Sequence, residues 1–278
     1  MPELPEVEHA RRRIAERLVG RRLAEVRCAE DPIVFEGRRA REVESILRGR
    51  EVRAANRHGK VLWLALDRPP HPLFRLGMTG AWRFVDDEPL VLASSPKDPD
   101  HGWPPRFAKL HLTADDGTEL VMTNARRLGR VLLRDDPPSE PPLSRLGFDP
   151  LTDMPSRSGF RARIARRRGV LKGLLLNQGF AAGVGNWIAD EVLYQAGIDP
   201  RRRVESLAPE EVDRLHATLK RVIRVAVKAD ARKAAFPESW LFHHRWGKDP
   251  DARTARGERV EHLTVAGRTT AWVPERQR

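Results

Sequence analysis

The chain has 278 residues, enough for about two domains, each with its own core. Lys and Arg number 51 against 39 Asp and Glu, a formal charge of +12, so the surface should attract polyanions, with nucleic acid as the leading partner. A single cysteine, Cys28, excludes an intramolecular disulfide and any multi-cysteine zinc or iron–sulfur site, and no apolar run reaches the length of a membrane span.

In chain order, Val7, Ala10, Ile14 and Leu18 recur at helical spacing after Pro5, and Gly20 ends that helix. Strand-like runs follow at 23–28, 61–66, 73–85 and 109–123, the last folded into a hairpin at Asp116-Gly117, with a helix over 40–47 between them. The stretch 86–105, rich in Pro, Asp and Ser, reads as a long surface loop. DDPPSEPP at 135–142 resists regular structure and reads as a linker. Beyond it the pattern predicts helices over 160–177, 186–196 and 209–229, then a hairpin with strands at 260–265 and 269–273 around Gly267. The fold expected is α+β: an antiparallel β-sandwich flanked by helices over 1–136, a helical domain over 137–235 and a β-hairpin over 236–278.

The N-terminal run Met1-Pro2-Glu3-Leu4-Pro5-Glu6 carries the first chemical signal. Removal of Met1 would leave Pro2 with a secondary amine of pKa near the α-amino value of about 8, a usable nucleophile at neutral pH. Attack on a sugar C1′ would expel a base and leave an iminium, an electron sink that eases loss of the neighbouring phosphates. Glu3 and Glu6 beside that amine are candidates for proton transfer and for stabilising positive charge, although a proline and acids at a helix start have an ordinary structural reading too.

This start, Lys60 in NRHGKVLWL, Met78 in RLGMTG, Arg126-Arg127 in NARRLGRV and the segment LLLNQGFAAGVGNWIADEVLYQAGIDP together resemble the formamidopyrimidine-DNA glycosylase family, in order and over nearly the whole chain. The resemblance implies bifunctional glycosylase and abasic-site lyase chemistry of base excision repair, with β,δ-elimination and a helix-two-turn-helix domain. Pro2 would form the Schiff base, Glu3 would act as the general acid in sugar-ring opening, Glu6 would hold the amine and its waters, and Lys60 would contact the phosphate beside the lesion and donate a proton in β-elimination. Turning a nucleotide out of the stack leaves a hole, which Met78, Arg126 and Leu128 would fill, a leucine here replacing the usual phenylalanine. Arg127 belongs to the same DNA-binding set. Gly183-Val184-Gly185-Asn186 resembles the family's turn at a phosphate, with Asn186 capping the helix or binding the phosphate, and Lys172 would lie near the DNA backbone.

The C-terminus departs from the commonest family pattern, because the four cysteines that hold zinc in its finger are missing. FPESWLFHHRWGK followed by VAGRTTAWVPERQ resembles the zincless finger of plant and fungal members, in which packing of Trp240, Phe242, Trp246 and Trp272 would hold the hairpin and Arg268 at its turn would grip the lesion phosphates and serve δ-elimination. No metal and no cofactor are expected: His243, His244 and His262 lack a fourth ligand, His9 and His216 fit solvent-facing or packing roles, and Cys28 fits a small apolar residue. The partner implied is duplex DNA containing oxidised bases or abasic sites, with the protein a monomer away from membranes, in a bacterial cytoplasm and nucleoid or in a nucleus. Substrates implied are formamidopyrimidines and hydantoins, with 8-oxoguanine excised weakly because only the short stretch 228–235 is available to cover it. The alternatives are an endonuclease VIII-like enzyme acting on oxidised pyrimidines, against which Leu4 stands where those relatives carry glycine, a non-catalytic binder of damaged DNA, which would dispense with Pro2, Glu3 and Lys60, and an RNA-associated protein, which would need aromatic platforms that a lone Tyr194 does not supply.

Overall fold

The computed structural model describes residues 2–86, 102–247 and 249–278. The chain divides into two units, one of residues 1–2 and 6–145, the other of residues 3–5 and 146–278.

Helix α1 (Leu4–Leu18) belongs to the first unit from Glu6 onward, and its Val7, Ile14 and Leu18 lie on one face and are buried. Strand β1 (Leu23–Cys28) and helix α2 (Ala40–Leu47) match the runs of apolar residues that predict them. The remaining strands are β2 (Val52–His58), β3 (Val61–Leu66), β4 (His71–Arg75), β5 (Ala81–Phe84), β6 (Ala108–Ala114), β7 (Glu119–Thr123) and β8 (Arg130–Arg134). They form two four-stranded antiparallel sheets, β1-β6-β7-β5 and β2-β3-β4-β8. Leu110, Leu112 and Ala114 of one sheet and Leu62, Leu64 and Leu66 of the other, each set at the two-residue period of a pleated strand, enter a shared core with Phe35, Phe74 and residues of α1 and α2. The run expected over 73–85 is interrupted at Leu76–Gly80, where a turn bearing Met78 separates β4 from β5. Most of the loop expected over 86–105 lies outside the described residues; Asp86 accepts a bidentate pair from Arg17 at 2.6 and 2.9 Å.

The second unit contains α3 (Arg157–Ala165), α4 (Leu171–Leu176), α5 (Asn186–Ala196) and α6 (Pro209–Lys228), followed by the hairpin β9 (Glu261–Val265) and β10 (Arg268–Trp272). The single helix expected over 160–177 is two. Gly169 takes φ +104°, a left-handed value that favours glycine, and Val170 bridges to Arg203, so the backbone leaves the helix between Arg166 and Val170. Helix α6 starts with Pro209 in its first turn and Glu211 accepting from the Ala208 amide at 2.8 Å, and buries Val212, Leu215, Leu219, Val222, Ile223 and Ala226. Helix α5 is buried on every face, so it forms the axis of this unit. The hairpin shares a cluster with it, in which Val260, Ala271 and Val273 pack with Tyr194 and Leu241.

Candidate active site

Residues 3–5 join the second unit because Glu3 and Leu4 dock on the turn before α5. The Leu4 amide donates to the Gly183 carbonyl at 3.1 Å. Glu3 is 2 % exposed; its Oε1 accepts from the Trp187 amide at 3.0 Å and its Oε2 from the Ile188 amide at 3.3 Å. Those amides belong to the first turn of α5, where no helical carbonyl is available to them, so the carboxylate satisfies orphan donors and meets the helix's partial positive charge. The glycines make room for this. Gly183 has φ +94°, and a Cβ there would come within 2.7 Å of Leu4; a Cβ on Gly185 would collide with the Glu3 carboxyl. Pro2 directly precedes this anchored carboxylate and is buried.

Asn186 is the first residue of α5 rather than its cap. Gly185 holds the cap position without a side-chain bond, and the Asn186 amide group donates across to the Thr269 carbonyl at 2.8 Å. Lys172, expected near the DNA backbone, is fully buried, with its Nζ 2.6 Å from Asp190 Oδ1 and 2.6 Å from Thr270 Oγ1. Burial lowers its pKa, and Asp190 opposes that shift. Arg268 is exposed at the start of β10, after a turn in which Ala266 and Gly267 both have positive φ, +50° and +70°.

The first unit holds the other expected residues in two groups. Glu6, half-buried, lies in the first turn of α1, and Lys60, also half-buried, lies at the β2–β3 turn. Arg57, at 8 % exposed, braces that turn: its Nε donates to Glu8 of α1 at 3.0 Å and its NH1 to the Gly59 carbonyl at 2.9 Å. Burial alone would raise the pKa of Glu8, but hydrogen bonds from Arg11 and Arg57 outweigh it and hold the carboxyl at about 2.

Met78, Arg126 and Leu128 form the second group. Arg126 NH1 lies 3.5 Å from Met78 Sδ, and Leu128 is 48 % exposed, high for a large apolar side chain. Asn124, fully buried, ties the two loops together: its Nδ2 donates to the Leu76 carbonyl at 2.9 Å and its Oδ1 accepts from the Gly129 amide at 3.1 Å. Arg127 sits between them at φ +55° with its guanidinium bidentate on Asp31, Nε to Oδ2 3.0 Å and NH2 to Oδ1 3.0 Å. Lys109 adds a bond to the same carboxylate at 2.8 Å. Against the raising effect of burial, Arg127 and Lys109 keep Asp31 at about 2.

The aromatic residues expected to hold the hairpin divide their work differently. Phe242 meets Trp246 at 5.3 Å and Trp187 of α5 at 5.1 Å between ring centroids, and Trp240 reaches Phe236 at 5.1 Å. These rings fasten the segment before the hairpin to α5. Trp272 on β10 instead lies under the Arg201 guanidinium, 4.5 Å from its ring centroid. The supporting roles of Asp31, Glu8, Arg57, Asn124 and Asp190, and of Arg245, whose NH2 lies 2.6 Å from Asp190 Oδ2, depend on long-range partners that the sequence does not display. The one available signal was Asp190-Glu191 inside an otherwise apolar helical run, where two acids on a helix with no polar face have to be buried and paired.

Residues 1–131 match the formamidopyrimidine-DNA glycosylase N-terminal domain and residues 146–237 the formamidopyrimidine-DNA glycosylase H2TH domain. A formamidopyrimidine-DNA glycosylase of Arabidopsis thaliana is 41 % identical over 278 residues, covering all of this chain and 71 % of the relative. One from Thermus thermophilus is 34 % identical over 99 % of this chain and 97 % of its own. Among solved structures, the Lactococcus lactis enzyme in complex with DNA containing an oxidised pyrimidine superposes with a TM-score of 0.81 at 24 % identity, over 100 % of both chains, a likeness of fold.

Proposed function

Because the chain belongs to the formamidopyrimidine-DNA glycosylase family, and so is a DNA glycosylase with abasic-site lyase activity, we propose that it excises oxidised purines from duplex DNA through a Schiff base on Pro2 and then cleaves the strand by β,δ-elimination. The observation that supports this reading is the anchoring of Glu3, the residue after Pro2 in sequence, on the first-turn amides of α5. With Met1 removed, the Pro2 nitrogen forms a bond to C1′ as the glycosidic bond breaks and the base leaves. Bonding to C1′ leaves the nitrogen with a proton that passes to the Glu3 carboxylate; Glu3 then delivers that proton to the ring oxygen as the C1′–O4′ bond breaks, and the freed nitrogen lone pair completes an iminium. Loss of a proton from C2′ then expels the 3′-phosphate, and a second elimination, served by Arg268, expels the 5′-phosphate. Hydrolysis of the iminium frees Pro2.

Lys60 supplies charge to a phosphate, while Met78, Arg126 and Leu128 occupy the space the turned-out nucleotide leaves. The partner is lesion-bearing duplex DNA, met by a monomer in a nucleoid or nucleus; no helix among the described residues is long and apolar enough to cross a membrane. The exposed Leu128 favours a second reading, in which oxidised pyrimidines are also substrates, because an aliphatic wedge stacks less selectively on the orphaned base than an aromatic one.

Single-turnover excision on duplexes carrying formamidopyrimidine, a hydantoin, 8-oxoguanine or an oxidised pyrimidine tests both readings. The purine reading predicts formamidopyrimidine and hydantoin first, with 8-oxoguanine slower by about tenfold or more, and Glu3→Gln inactive on all of them. Pyrimidine lesions processed fastest would transfer the assignment to the second reading, and an active Glu3→Gln protein would remove the role given to Glu3.

A further inference from the structure

The second unit contains a cluster of buried charges that no step above uses. Lys172 on α4 and Asp190 on α5 are each fully buried and lie 2.6 Å apart, Nζ to Oδ1. Arg245, 8 % exposed, places NH2 2.6 Å from Asp190 Oδ2. Oδ2 also accepts the Ala271 amide of β10 at 3.1 Å. Lys172 Nζ donates to Thr270 Oγ1 at 2.6 Å, and that hydroxyl donates to the Arg268 carbonyl at 3.1 Å. Asn186 holds the Thr269 carbonyl at 2.8 Å, and His262 on β9 donates to the Arg245 carbonyl at 3.2 Å. At the tip, a Cβ on Gly173 of α4 would stand 3.3 Å from the Ala266 Cβ, so helix and turn already touch.

Thus each residue from Arg268 to Ala271 is bonded through backbone or side chain to α4 or α5, directly or through Thr270. A buried ion cluster of this kind adds little net stability over an apolar replacement, because desolvation offsets the attraction, but its bonds are directional and admit one register. We propose that the Lys172–Asp190–Arg245 cluster is a positioning device that locks the β9–β10 hairpin to α5 and thereby sets Arg268 relative to Glu3. Both ends of the chemistry are referred to one helix: Glu3 sits on its first-turn amides, and the hairpin hangs from Asp190 on the next turn. The inference rests on the δ-elimination role given to Arg268.

The test uses the full-length protein with Met1 removed, on a duplex containing an abasic site. Thr270→Val deletes the hydroxyl relay without changing side-chain shape; Thr270→Ser restores it; Asp190→Asn discharges the centre of the cluster. Three quantities are read for each: borohydride-trapped adduct, the ratio of δ- to β-elimination product, and amide hydrogen exchange across 261–272 and across α6. The proposal predicts that Thr270→Val lowers the product ratio about tenfold with adduct yield nearly unchanged, and that Thr270→Ser recovers it. It predicts for Asp190→Asn the same loss together with exchange about tenfold faster in the hairpin and unchanged in α6. An unaltered ratio in both variants, or losses of adduct and protection throughout the unit, overturns it. If the unsubstituted protein forms no δ-product, or Arg268→Ala leaves that product intact, the role of Arg268 fails, and the exchange arm decides the positioning claim alone: hairpin protection unmoved by Asp190→Asn refutes it.

Discussion

Glu8 braces the turn that carries Lys60, a residue to which the proposed chemistry gives a phosphate contact. Its carboxylate gathers Arg11 and Arg12 from its own helix and Arg57 from β2, and Arg57 in turn holds the carbonyl beside Lys60. Removing the charge leaves a buried guanidinium with less than it needs, and Glu8→Gln is expected to cost about 3 kcal/mol at neutral pH. The sign with pH follows from the depressed pKa. Stabilisation by Glu8 is complete above the ordinary carboxylate value of 4.5 and is lost as pH falls toward about 2. Urea unfolding of both proteins at about pH 7 and about pH 3 checks this, with the gap expected to narrow at the acid end; a gap that stays constant assigns the loss to packing instead. None of this was readable from sequence, where Glu8 is one acid among several on an amphipathic helix and its partner Arg57 lies in a strand of weak β-formers.

Elements were legible where a single period dominates. α2, β1, β3 and α5 fall where periodicity and flanking glycines put them, and the Asp116-Gly117 turn marks the β6–β7 hairpin. β2 and β8 were missed, because VRAANRH and RVLLR are short or polar and become strands only through ladders with β3 and β4. The break between α3 and α4 was hidden by arginines, good helix formers, before Gly169, which takes a left-handed φ. The turn into α5 was recognised through its glycines, yet its reason emerged only in three dimensions: Gly185 leaves space for the Glu3 carboxyl. Gly185→Ala is therefore expected to evict Glu3 and reduce base excision about a hundredfold with little change in helix content. Circular dichroism beside single-turnover excision measures both, and near-normal excision would show that the docking of Glu3 is dispensable.

At the scale of the molecule, a formal charge of +12 with arginine-rich surfaces makes affinity for DNA an electrostatic quantity. If about four phosphates are neutralised, Kd for a duplex should rise about a hundredfold between about 50 and 200 mM salt. A fluorescence-anisotropy titration series gives that slope directly, and a flat response would mean that the basic surface does not face the phosphates. Charge was visible in composition alone, whereas the attachment of residues 3–5, next in sequence to the proposed nucleophile, to the second unit was not. That attachment leads to the most direct measurement: borohydride reduction of the matured protein on lesion-bearing duplex, with intact mass and peptide mapping of the product. The account predicts one DNA adduct per chain, on the Pro2 nitrogen, abolished when Met1 is retained. An adduct mapped to Lys60 or another lysine, or strand cleavage with no adduct at all, would contradict it.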